Sequence, residues 1–229
     1  MKKRVILLLV FLGVSCVASQ KVQANDDFQY WSRYWADVGK MDKFSLGMYA
    51  EVRQQNDAKD TKLYLFSPKL KYALHKNLDL GLAYTYMQYR KNNTVASRSE
   101  YFFQHRCELE FNPKYTFENG IKVLSRNRIE FRWIEDAGSD NNRYRSMLQF
   151  EFPLDSVDFI KSVYINNEVF YTQSLHELTE HRTVPLGFNI PINDTFSTKL
   201  FYLIQSTHSS SSDQWTSDHV LGTQLNIKF

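Results

Sequence analysis

The last stretch of the chain constrains the fold most. From Val220 onward, Leu221, Thr223, Leu225, Ile227 and Phe229 fall on one side. Val220, Gly222, Gln224, Asn226 and Lys228 fall on the other. Successive side chains of a β-strand point to opposite faces, so this is a strand with one apolar and one polar face. The last strand of an open sheet tends to fray in water. Closing the sheet on itself gives that strand two partners and abolishes the edge. The expectation is an all-β chain, an antiparallel up-and-down barrel whose final strand ends on Phe229.

The same beat recurs upstream. Residues 43–53 set Phe44, Leu46, Met48, Ala50 and Val52 against Tyr49, Glu51 and Arg53. Segments 63–74, 78–89, 99–111, 120–134, 143–152, 159–172, 181–192 and 195–205 follow the same rule, and with 218–229 they predict ten strands. In 181–192 the apolar face is assigned to Val184, Leu186, Phe188 and Ile190, while Pro185 and Pro191 suggest bulges or an edge. Residues 27–38 also alternate. They are assigned to an N-terminal lead-in or short strand spanning 25–42, because an eleventh strand leaves an up-and-down antiparallel closure without its match. Twelve strands are the alternative. His105, Ser125, Asn127 and Asn167 interrupt the apolar faces. Short connections (74–77, 153–158, 193–194) alternate with longer polar ones (54–62, 91–98, 135–142, 173–180, 206–217).

The N-terminus and the apolar faces together indicate a compartment. Met1-Lys2-Lys3-Arg4 is followed by an apolar run from Val5 to Leu12, and Val22-Gln23-Ala24 offers small residues for cleavage. This is the pattern of a secretory signal, here residues 1–24, with the barrel proper at 43–229. Cleavage removes Lys2, Lys3, Arg4 and Lys21 and no acid, taking the formal charge from +3 to −1. A near-neutral chain argues against a nucleic-acid partner. Gly13-Val14-Ser15-Cys16 lacks the Leu expected three before a lipoprotein cysteine, so Cys16 leaves with the signal. Cys107 remains alone, without an intramolecular disulfide.

No segment approaches the roughly 18 apolar residues of a spanning helix. Aromatic residues cluster instead at both strand ends, Tyr84, Tyr101 and Trp133 at one and Phe44, Phe111 and Phe152 at the other. Aromatic girdles with short turns on one side and longer loops on the other characterise bacterial outer-membrane barrels. Leu225, Ile227 and Phe229 resemble the C-terminal assembly signal of Gram-negative outer-membrane barrels. That resemblance implies an outer-membrane location, with the barrel-assembly machinery and outer-membrane lipid as partners. A soluble periplasmic binding barrel is the alternative.

The polar faces carry unusual charge. Glu51, Glu100, Glu108, Glu110, Glu130, Glu151 and Glu168 alternate with Arg53, Arg106, Arg126, Arg128, Arg132, Arg143 and Arg145. Two roles fit: an internal network of ion pairs, or an arginine-lined track for small, anionic solutes. The narrowness of a ten-stranded barrel favours the network. A third, enzymatic role has one candidate, His208-Ser209-Ser210 with Asp213, which would make the barrel a lipid-modifying hydrolase. The histidines have no metal-ligand spacing, and no cofactor motif is present. Trp31 and Trp35 either form a stacking pair for a substrate or serve interfacial anchoring or packing.

A family resemblance covers most of the chain. It is carried by Asp27-Phe28-Gln29-Tyr30-Trp31, Glu51-Val52-Arg53, Arg126-Asn127-Arg128-Ile129-Glu130-Phe131-Arg132, Arg143-Tyr144-Arg145 and Asn167-Glu168-Val169-Phe170-Tyr171. These stretches resemble a family of Gram-negative outer-membrane barrels catalogued as a domain of unknown function. The resemblance implies a barrel and an outer-membrane address, and no activity.

Overall fold

The structure, a computed structural model, describes residues 23–93, 98–135, 138, 141–154, 158–209 and 212–229. Most of the expected signal, 1–24, lies outside the described residues. The strands are β1 (Gln23–Met41), β2 (Phe44–Gln55), β3 (Asp60–His75), β4 (Leu78–Asn93), β5 (Arg98–Thr116), β6 (Lys122–Ile134), β7 (Arg143–Pro153), β8 (Ser162–Thr172), β9 (Glu177–Pro191), β10 (Phe196–Ser209) and β11 (Gln214–Lys228). They form one closed barrel in chain order.

The barrel is all-β and its last strand runs to Phe229, but the described strands number eleven, neither ten nor twelve. Residues 27–38 are not a lead-in. They form the heart of β1, antiparallel to β2 and parallel to β11. Strand parity explains both observations. In an up-and-down barrel with an odd number of strands, the first and last run the same way, so the seam is a parallel pair. The register holds without a break from Phe28 opposite His219 to Asp37 opposite Lys228, and is irregular only between Ala24 and Phe28. The continuous ladder thus starts after the expected cleavage point.

Strand parity sorts the side chains. Phe66, Leu109 and Trp133 point outward and keep 50%, 46% and 48% of their surface. Trp31, Phe201, Leu203 and Val220 point inward and are buried, joined by Tyr164 and Val184 in one apolar cluster. Aromatic side chains in this interior lie over glycines of the neighbouring strand. Phe201 sits opposite Gly222 and Tyr164 opposite Gly187. A Cβ on Gly222 would meet the Phe201 ring at 2.0 Å, and one on Gly187 the Tyr164 ring at 2.3 Å.

Two local expectations need correction. Val184 faces inward, not outward with Leu186, because the register shifts between Tyr164–Gly187 and Asn166–Val184. Pro185 lies in that step. It lacks the N–H that a regular ladder requires, and the extra residue of a bulge reverses the parity. The long loops are also shorter than their polarity suggested. β3 begins at Asp60, β9 at Glu177 and β11 at Gln214. The strand ends beyond the apolar belt remain paired, for example Thr207 with Glu180 and Thr216, yet carry no apolar alternation to announce them.

Candidate functional site

Inward side chains from β3 to β9 form a connected set of ion pairs, built outward from Glu130. Glu130 is fully buried on β6 and accepts hydrogen bonds from Arg143 Nε at 2.8 Å and Arg145 Nη1 at 2.7 Å. Arg106 and Arg128 approach it at 3.7 and 3.8 Å. Arg128 also pairs with Glu108 at 3.0 Å and with Glu110. Arg145 pairs with Glu168 at 2.9 Å, and Arg126 meets the same oxygen, Oε1, at the same distance. Planar guanidinium forks suit such shared carboxylates, and opposite charges in low dielectric need these partners.

Small residues let the pairs skip a strand. Lys69 on β3 reaches Glu110 on β5 at 3.2 Å across Gly81 and Ala83 of β4. A Cβ at Gly81 would lie 3.0 Å from that of Glu110. Thr85 donates to Glu108 at 2.8 Å. Glu51 forms a second group with Arg53 at 2.7 Å and Arg33 at 3.4 Å. Arg53 lies 3.8 Å over the Trp31 ring, and Arg182 lies over both Trp31 and Phe170. Trp31 is therefore interior packing with cations on its face, not an open stacking platform.

Two charged residues stand apart. Glu151 pairs with Lys122 at 3.1 Å and accepts from Ser162. Arg132 donates to the backbone carbonyl of Asn141. The side chain of Glu100 lies outside those described. Leu225 and Ile227 face outward on β11, and Phe229 is 84% exposed beyond it.

The ion pairs leave a cavity of about 740 Å³ within the barrel. Its lining runs from Lys71, Asp79 and Asn226, at the Phe229 end, to Lys62, Arg90 and Gln205 at the opposite end. Among the described residues, fourteen Lys or Arg side chains line it against six Asp or Glu.

Residues 28–216 match the family described as "Protein of unknown function (DUF2490)". The chain belongs to this family. No curated protein and no solved structure matches it. In this DUF2490 member the match begins at Phe28, where the unbroken β1–β11 ladder begins.

Other interior groups escaped the sequence-based set. Glu180 and Arg182 pair at 2.6 Å and join the network through Arg143 at 3.5 Å. The signal for them was Pro185. A bulge there puts residues 180, 182 and 184 inward. The enzymatic candidate has a different geometry from a nucleophile–base pair. His208 Nδ1 lies 3.4 Å from Glu177, and Nε2 lies 3.1 Å from Asp213. Its ring packs 5.2 Å from that of Trp215. The exposed Asp213 thus occupies Nε2, while Nδ1 faces Glu177 without a hydrogen bond. Ser210 lies outside the described residues. Among the described residues no group of His, Cys, Asp and Glu is arranged to hold a metal.

Proposed function

We propose that this protein is a Gram-negative outer-membrane barrel whose lumen passes small anionic solutes. The inversion of the barrel carries this proposal: apolar side chains cover its outside and charged ones its inside. Leu70, Leu82, Leu148 and Leu221 all face outward with more than a third of their surface exposed. Water would penalise so continuous an apolar belt, and hydrocarbon would not. The polar exceptions on the outer face satisfy one another. Tyr84 Oη and His105 Nδ1 share a hydrogen bond of 2.7 Å, Asn127 donates to the Phe111 carbonyl at 3.2 Å and accepts from Ser146, and Asn167 donates to Thr183 at 3.1 Å. Internal pairing of this kind is what an apolar solvent demands.

The excess of cations along the lining supports a preference for anions, since pore-lining Arg and Lys favour them. Residues 1–24 then serve as the export signal. Leu225, Ile227 and Phe229 present the barrel to the assembly machinery, and outer-membrane lipid covers the belt. The test is single-channel conductance of the refolded barrel in a planar bilayer, with the reversal potential measured across a KCl gradient. Anion-selective steps are expected. A heat-modifiable, folded barrel that conducts nothing would overturn the passage, and recovery of the exported chain in the soluble periplasmic fraction would overturn the membrane assignment.

A further inference from the structure

The cations of the cavity are not equivalent. Those in the middle are committed to carboxylates. Lys71 on β3 and Lys199 on β10, both toward the Phe229 end, form no ion pair among the described residues. Each rests on an aromatic ring instead: Lys71 Nζ lies 4.8 Å from the centre of Trp35, and Lys199 Nζ 5.7 Å from that of Tyr164. Lys199 feels the acid Glu151 most strongly among charged groups, and after it the cations Arg33, Arg126 and Lys71. These cations come from four strands, so they meet the lumen from different sides.

The wall between them has a consistent chemistry. The Trp35 ring fills the space above Gly47 and so leans from β1 toward β3. On its other flank Asn226 is its register partner, and Gln224, two residues earlier on β11, is the partner of Lys199. Beyond Lys199 come Tyr164, then Asn166 and Gln149, which pair across β8 and β7, and then Arg126. Cation, ring and amide thus recur around this half of the cavity. Ammonium groups bind carboxylates, amides bind hydroxyls, and partly open aromatic faces bind the C–H face of a sugar. A cavity of about 740 Å³ lies within the range of small-molecule sites.

We infer that the half of the lumen nearest Phe229 is a binding station for an acidic disaccharide, its carboxylates held by Lys71 and Lys199 and its rings set against Trp35 and the Asn–Gln wall. This deepens the proposed anion passage and rests on the same lumen. A phosphate-bearing ligand would share the cationic contacts but would have no use for the ring and the amides.

The test is calorimetric titration of the full chain, folded in detergent, with digalacturonate, with neutral lactose and with inorganic phosphate. Digalacturonate is expected to bind at least tenfold tighter than either of the others, a difference of about 1.4 kcal/mol. Lys71→Gln and Lys199→Gln should each weaken it at least tenfold, with Lys71→Arg restoring binding. Lys62→Gln, which removes the same charge at the other end of the cavity, should leave it within twofold. Heat-modifiable migration in electrophoresis verifies that each variant is folded. Equal binding of the two disaccharides overturns the inference, as does an equal effect of Lys62→Gln. Phosphate binding as tightly as the uronate would overturn it too, reducing the station to a simple anion site. The titration needs no ion flow, so the two proposals fail separately. Conductance without uronate binding removes the station, and binding without conductance removes the passage.

Discussion

Replacing Glu130 by glutamine separates ion pairing from packing as the force that holds the middle of the barrel. The substitution keeps the shape and one acceptor oxygen, but it removes the charge and turns a donor toward a guanidinium. Four guanidinium groups lie within 3.8 Å of this fully buried carboxylate. Breaking a buried pair from one side costs about 3–5 kcal/mol, because it leaves charge without a partner. Three of the four arginines keep another carboxylate: Arg145 has Glu168 at 2.9 Å, Arg143 has Glu180 at 3.5 Å and Arg128 has Glu108 at 3.0 Å. Arg106 is left with Gln104, whose Oε1 accepts at 3.0 Å. The loss should therefore fall at the low end, about 3 kcal/mol. With a urea dependence of about 3 kcal/mol per molar, the unfolding midpoint drops by about 1 M. Tryptophan fluorescence during urea titration of the detergent-folded barrel reads this shift. Adding Arg106→Gln should recover about 1 kcal/mol by removing the orphaned cation. A midpoint unchanged by Glu130→Gln would refute the reasoning, showing that lumenal water and not the carboxylate solvates these arginines.

Three further outcomes follow from packing, closure and export. Gly222→Ala puts a Cβ 2.0 Å from the buried Phe201 ring, and overpacking of this kind costs about 1–3 kcal/mol in thermal unfolding. Gly39→Ala, with nothing within 4 Å of the new methyl, should stay within about 0.5 kcal/mol. In a Cys107→Ser background, Ser32→Cys with Thr223→Cys should oxidise to a crosslink across the β1–β11 seam. A ten-stranded barrel, closed between β2 and β11, would leave that pair unlinked. Deleting Phe229 should reduce the amount of folded barrel in the outer-membrane fraction severalfold, while Phe229→Tyr restores it. Equal recovery of the deleted chain would refute the assembly role.

The strand faces were legible because period-two alternation survives wherever one face is apolar. Phe44 to Val52 and Leu221 to Phe229 need no tertiary information to be sorted. The seam was hidden by a rule applied too strictly: Phe28, Tyr30, Tyr34 and Ala36 showed a strand, but an antiparallel closure had no place for it. The outer ends of β9, β10 and β11 were hidden by their composition. There, polar side chains face outward as well as inward, so pairing persists without a hydrophobic signature. Glu180 and Arg182 were lost to one bulge at Pro185, which reverses the assignments from Val184 back to Glu180. The ion pairs illustrate a different limit. Opposite charges on neighbouring strands are visible in sequence, but a reach such as Lys69 to Glu110 depends on the small residues of the strand between them.

In the proposed anion passage, the distinction between paired and unpaired cations decides what controls selectivity. The arginines dominate the sequence and invite the view that they line a path. Arg128 is bound to two carboxylates and Arg145 to two more, so to a passing ion each lies inside a nearly neutral group. Lys71 and Lys199 are few, but neither forms an ion pair among the described residues. Arg128→Gln should therefore act on stability, lowering it by about 3–5 kcal/mol, and leave the reversal potential near its original value. Lys71→Gln with Lys199→Gln should do the opposite, lowering the anion-to-cation permeability ratio by about twofold or more with little change in the unfolding midpoint. Paired measurements of reversal potential and urea midpoint on the same preparations test this dissociation. A larger selectivity change from Arg128→Gln than from the lysine pair would refute it, because the network would then be open to solvent and its arginines would be the ones an anion meets.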